Sequence, residues 1–173
     1  MELFWFFPTS GEGRYLATTV GARPITLGYL RQIAGAIDEL GYTGALLPTG
    51  QGCEDAWVTA TALMPFTRRP KFLVAVLPGL ASPALAARIA ATFDRFSEGR
   101  LLINVVTGGD PDELAGDGVH LDHDARYELT DEFLTVWRGV CAGERVEFQG
   151  KHLNIPTSRK RIASPSSFSL CLA

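Results

Sequence analysis

The stretch "LLINVVTGGDPDELAGDG", residues 101–118, ends an apolar, β-branched run on Asn104 and Thr107, followed at once by Gly108 and Gly109. A carboxamide and a hydroxyl both donate and accept hydrogen bonds, which suits the edge of a polar heteroaromatic ring. Glycines beside them let backbone approach a ligand closely. The same residues also end a strand and satisfy their own turn, and spacing alone leaves both readings open. Cys53 precedes Glu54 and Asp55 at an expected helix start. There the helix end favours a thiolate while the carboxylates oppose it, so a small buried residue is the competing reading. His120, Asp122 and His123 carry metal-type donors but lack a further well-placed ligand, so no metal is expected. "GGDPDELAGDG" lacks the G-x-G-x-x-G of a dinucleotide loop, and Ala115 stands where a calcium loop needs glycine.

Short β-branched or aromatic runs alternate with segments of helical period, which is the pattern of βα units around a parallel sheet. Strands are expected at 3–9, 44–49, 71–78 and from 101. Pro24 is expected to open a helix with Leu30, Ile33, Ile37 and Leu40 on one face and Gly41 at its end. A helix from Glu54 and Asp55 runs to about Met64. Ser82 and Pro83 start the next, with Leu85, Ile89, Phe93 and Phe96 inward. A long helix over 125–141 turns Phe133, Val136, Trp137 and Val140 inward, and 146–155 reads as a hairpin turned at Gln149-Gly150. Four strand-helix pairs make half of an eightfold βα barrel or a small open sheet, and periodicity does not separate them. In either, ligands bind outside the C-terminal ends of the strands, where Thr9, Thr49, Gly79 and Asn104 fall.

A formal net charge of −3 gives no electrostatic reason to expect nucleic acid or an anionic membrane as partner. No apolar run approaches the ~20 residues of a membrane helix. Three widely spaced cysteines without a C-x-x-C pair fit a reducing cytoplasm.

Five blocks in order, "FWFFPTSGEGRYL", "GYTGALLPTGQGCEDAW", "KFLVAVLPGLASPALAARIAATFDRFSEGR", "NVVTGGDPDELAGDG" and "LDHDARYE", closely resemble the reduced-flavin-dependent alkanesulfonate monooxygenases of the bacterial luciferase-like superfamily. The resemblance implies an α/β TIM-type (β/α)8 barrel, here cut to about its first four βα units over residues 1–155, followed by a divergent, poorly ordered tail over 156–173. It also implies reduced FMN (FMNH2) supplied by a separate NAD(P)H-dependent FMN reductase, O2 as co-substrate, and cleavage of an alkanesulfonate C–S bond to sulfite and aldehyde, a role in sulfur assimilation. Carried over position by position, Asn104 meets the flavin ring, Arg126 and Tyr127 approach its phosphate, Glu113 is a flavin-proximal acid, and Cys53 lies near the substrate. Ser10 stands where relatives carry His, and Gln51-Gly52 where they carry Arg-Ser, so the pocket mouth departs from the pattern. Family members are about twice as long, and the similarity breaks after Ile155, which implies a truncated or frameshifted coding sequence. The alternative expectation is a non-catalytic fragment with residual flavin binding or homo-oligomeric self-association.

Overall fold

The computed structural model describes residues 1–13, 20–159 and 169–172. They divide into two compact units. One is Met1–Ala75 with Arg100–Asn104, the other Val76–Gly99 with Val105–Ala173.

The first unit is built on parallel strands. Strand β1 (Phe4–Phe6) pairs in register with β2 (Gly44–Leu47), Trp5 opposite Ala45, and β2 pairs with β3 (Lys71–Val76), Ala45 opposite Phe72. Strand β4 (Leu101–Val105) is introduced by Arg100, whose C=O accepts the Phe72 N–H at 2.8 Å. Gly44 is a glycine for steric reasons. A Cβ there would meet the Phe4 ring at 2.9 Å, so the aromatic ring lies directly over the backbone of its neighbour. Ala45 and Leu47 lie beside their register partners Phe72 and Val74, and with Leu101 and Ile103 they make one buried face of the sheet, whereas Leu46 and Leu73 on the other face are half-buried. Helix α1 (Leu27–Glu39) starts later than Pro24 suggests, because Thr26 is the cap: its hydroxyl accepts the Tyr29 N–H at 3.2 Å. Its buried face is Leu30, Ala34 and Ile37, and Leu40 is exposed beyond the last turn, where Gly41 takes φ +76°. Helix α2 (Ala56–Leu63) is capped by Asp55.

In the second unit, helix α3 (Pro83–Phe96) packs on α5 (His123–Cys141). The expected inward face of α3 is corrected. Leu85 and Phe96 are exposed, and Ala86, Ala87, Ala90 and Ala91 are buried beside Phe93. Small side chains let two helices approach closely, so the alanine stripe rather than the bulky one faces inward. The inward face of α5 is as expected, with Phe133, Val136, Trp137 and Val140 buried. A short helix not foreseen in the sequence, α4 (Pro111–Gly116), follows β4.

The hairpin of β5 (Arg145–Gln149) and β6 (Asn154–Arg159) is closed by a four-residue turn rather than two, the Gly150 N–H donating to the Leu153 C=O at 2.8 Å. Glu132 of α5 dictates that turn by accepting the N–H groups of Lys151, His152 and Leu153 at 2.6, 3.0 and 2.8 Å. Strand β6 runs past the boundary expected at Ile155. The expected tail lies largely outside the described residues, of which β7 (Ser169–Leu172) is the last element; the strands of the first unit lie in the order β1-β2-β3-β4. Among the described residues no helix is long and apolar enough to cross a membrane.

Candidate functional site

In the first unit the segments after β1 and β2 are tied together at the C-terminal ends of their strands. The Phe7 N–H donates to the Leu46 C=O at 2.8 Å, and the Glu54 N–H to the Thr9 C=O at 2.9 Å. Thr9 is fully buried, and its Oγ1 finds no hydrogen-bond partner among the described residues. A hydroxyl shut away from water without a partner is costly, and such groups concentrate at functional sites. Thr9 falls at one of the strand ends expected to face a ligand, but that its hydroxyl is buried without a partner is a matter of packing that the residue type does not reveal.

Cys53 is half-buried, its N–H closing a turn on the Gly50 C=O at 3.0 Å. Asp55, two residues on, caps α2, its carboxylate accepting the Val58 N–H at 2.7 Å. Ser10, Gln51 and Gly52, where the sequence departs from its resemblance, do not share this burial: Ser10 and Gln51 are exposed, and so is Gly52.

Asn104 lies next to last in β4 between buried Ile103 and Val105, itself half-buried. Neither its amide nor the Thr107 hydroxyl forms a side-chain hydrogen bond among the described residues, and LINV therefore ends on polar groups that do not serve their own turn. Gly108 takes φ +82°, and a Cβ there would meet the Leu114 side chain at 2.6 Å, while a Cβ at Gly109 would meet nothing within 4 Å.

Glu113 is exposed in the first turn of α4, where the Asp110 carboxylate accepts the Asp112 and Glu113 N–H groups at 2.9 and 3.3 Å. Helix α5 begins on Asp122, which accepts the Ala125 N–H at 2.9 Å. That bond assigns Asp122 to capping, and no cluster of metal-type ligands occurs among the described residues. Arg126 donates from one terminal nitrogen to the Leu121 C=O at 3.1 Å, while its Nε is buried with no partner among the described residues. A buried guanidinium N–H wants an acceptor, and an anionic oxygen is the strongest available. Tyr127 is exposed, its ring 5.0 Å from that of His123, whose Nδ1 lies 3.0 Å from the Asp124 carboxylate.

Two surface clefts of the first unit hold none of these residues. One of about 500 Å3 is lined by Gly35, Asp38, Glu39, Phe66, Arg68 and Arg69, and one of about 410 Å3 by Glu12, Gly13, Gly21, Arg23 and Tyr29. The first is a packing seam in which Asp38 is committed to Arg68 and Arg69.

The family model of luciferase-like monooxygenases matches residues 1–167. Among solved structures, the EDTA monooxygenase EmoA from Chelativorans sp. BNC1 is similar at TM-score 0.81 and 20% identity, covering 99% of this chain and 48% of that one. The riboflavin lyase RcaE, solved with modified FMN and riboflavin, is similar at TM-score 0.81 and 21% identity over 99% of this chain and 50% of that one. The oxygenating constituent of 3,6-diketocamphane monooxygenase from the CAM plasmid of Pseudomonas putida, solved with FMN, is similar at TM-score 0.72 and 18% identity over 95% and 45%. The chain thus spans about half the length of these structures.

Proposed function

The chain belongs to the luciferase-like monooxygenase family, and from that premise we propose that it serves a flavin-dependent monooxygenation with reduced FMN as cofactor and O2 as co-substrate. The observation that carries the reading is the buried, unpartnered Nε of Arg126 at the start of α5. A cofactor phosphate supplies the acceptor this group lacks, and a planar guanidinium fits a phosphate better than an ammonium would. Tyr127, its neighbour in sequence, adds a phenol on the same helical turn, and Asn104 offers its unengaged amide to the polar edge of the isoalloxazine ring. Glu113 is assigned to the flavin side on resemblance. FMN in two of the solved neighbours supports the choice of cofactor.

Reduced FMN, when bound, would supply the activation of O2 and the transfer of one oxygen atom; the protein's own groups hold, orient and shield. We assign an alkanesulfonate as substrate, with Cys53 near it and sulfite and an aldehyde as products. This rests on the "GYTGALLPTGQGCEDAW" block, whose Cys53 stands half-buried after β2. A separate NAD(P)H-dependent reductase would deliver the flavin. The test is sulfite release from alkanesulfonates of graded chain length with a flavin reductase, NAD(P)H and FMN. Sulfite above the reductase-only background supports the assignment, and its absence across the series overturns the substrate.

A second reading is favoured by one observation, the half-length coverage of the solved structures. In that reading this chain binds flavin without turnover. FMN binding with no sulfite selects it.

A further inference from the structure

The cleft of about 500 Å3 in the first unit is walled by α1 and by the segment from the 3-10 turn Met64–Phe66 to Arg69, just before β3. None of its lining residues is assigned to flavin. Asp38, near the end of α1, accepts the Arg68 N–H at 2.6 Å and Arg69 Nε at 3.1 Å on its carboxylate, and Arg69 Nη2 on its C=O. Arg69 is thereby fixed in one orientation with its Nη1 left over. The Arg68 guanidinium, lining the same cleft, makes no hydrogen bond or ion pair among the described residues. The Arg31 guanidinium lies 3.8 Å from the centroid of the Phe66 ring, which steadies that ring while Phe66 stays 42% exposed. Gly35 sits in the interior of α1, where glycine costs about 1 kcal/mol relative to alanine. A Cβ there would meet nothing within 4 Å, so packing does not ask for a glycine, and its effect is a stretch of cleft wall without a side chain.

We propose that this cleft binds a small amphipathic monoanion, its carboxylate or sulfonate head on Arg68 and Arg69 Nη1 and its apolar body along Phe66 and Gly35. Guanidinium N–H groups form their strongest hydrogen bonds with such oxygens, and an arginine already held in place loses little freedom on pairing. Glu39 limits the charge of the head. Its exposed carboxylate lines the same cleft, so a doubly charged phosphate meets twice the repulsion of a singly charged head. The volume falls within the range of small-molecule sites. The lining holds no thiol, hydroxyl or imidazole, so the site binds its ligand without reacting with it.

The experiment follows backbone amide NMR signals of the purified 173-residue chain, without flavin, during titration with hexanoate and separately with hexanesulfonate. Saturable shifts at Gly35, Arg68 and Arg69 are expected with one or both, and the one that binds more tightly identifies the head. Acetate, which has the head without the body, and hexylammonium, which has the body with the opposite charge, are expected to bind roughly tenfold more weakly or not at all. Arg68→Gln is expected to weaken binding by roughly tenfold. Gly35→Leu keeps both arginines and suits a helix better, so it is expected to retain the melting temperature while abolishing the shifts, because its side chain fills the place of the ligand body. No saturable shift at these residues with either anion, an equal response to hexylammonium or acetate, or unchanged binding in Arg68→Gln or Gly35→Leu overturns the proposal.

Discussion

Two unsatisfied groups set the terms at the scale of single residues. Thr9 Oγ1 and Arg126 Nε are both buried without partners, yet they differ in what they ask for. Thr9 is closed off from solvent altogether, so a ligand does not reach it without rearrangement, and Thr9→Val, which keeps the shape and removes the hydroxyl, is expected to stabilise the chain by about 1 kcal/mol in thermal unfolding. A loss of stability would mean that the hydroxyl has a partner. Arg126 as a residue is only partly buried, although its Nε is itself shut away. Asn104→Ala removes one neutral hydrogen bond to the ring and is expected to weaken FMN and riboflavin alike by about fivefold, about 1 kcal/mol, in a flavin titration. Equal affinity for wild type and variant would remove Asn104 from the ring. The sequence made Asn104 conspicuous because a polar amide interrupts a β-branched run. It hid Thr9 and the Arg126 Nε because an unmet hydrogen bond is a property of packing that residue types do not encode.

Among the elements, the hairpin is the feature the sequence described least well, and the reason is a contact across nineteen positions. Gln149-Gly150 reads as a two-residue turn, but the Glu132 carboxylate gathers three successive N–H groups and opens it to four residues. A Cβ at Gly150 would displace that carboxylate, so glycine keeps the three bonds in place. Partial burial alone would raise the Glu132 pKa, but the bonds from Lys151, Leu153 and His152 outweigh it and hold it below 4.5. Glu128 is held low by its hydrogen bonds to Lys151 and then His152, and its partner Lys151 is raised above 10.5. The signs follow. The carboxylates contribute above pH 4.5 and their contribution fades as pH falls through their lowered folded pKa values, whereas that of Lys151 is present below 10.5 and fades only above it. Hydrogen exchange at Lys151, His152 and Leu153 is therefore expected to show protection at neutral pH, beyond intrinsic rates, that is lost on acidification below 4.5 and in Glu132→Ala. Protection unchanged by either would detach the hairpin from α5. Helix caps and the buried face of α5 were legible because they are local. The inward face of α3 was not, since bulk suggested Leu85 and Phe96 while close helix packing selected the alanines.

For the molecule as a whole, membership of the luciferase-like family covers nearly all of the chain, while the solved structures continue for as much length again. The four parallel strands were legible from short apolar runs, because strands with a buried face carry little charge. Whether they belonged to a barrel or an open sheet was not, since the pattern of each βα unit is the same in both. In the proposed function this chain holds FMN, and Arg126 meets its phosphate. Comparing FMN with riboflavin, which lacks that phosphate, tests it most directly, by titrating the wild-type chain and Arg126→Ala with each. FMN is expected to bind the wild type more tightly, and Arg126→Ala to cost about 2 kcal/mol, roughly thirtyfold, for FMN while leaving riboflavin unchanged. Equal affinity of the wild type for both flavins, or an Arg126→Ala variant that keeps its preference for FMN, would contradict it.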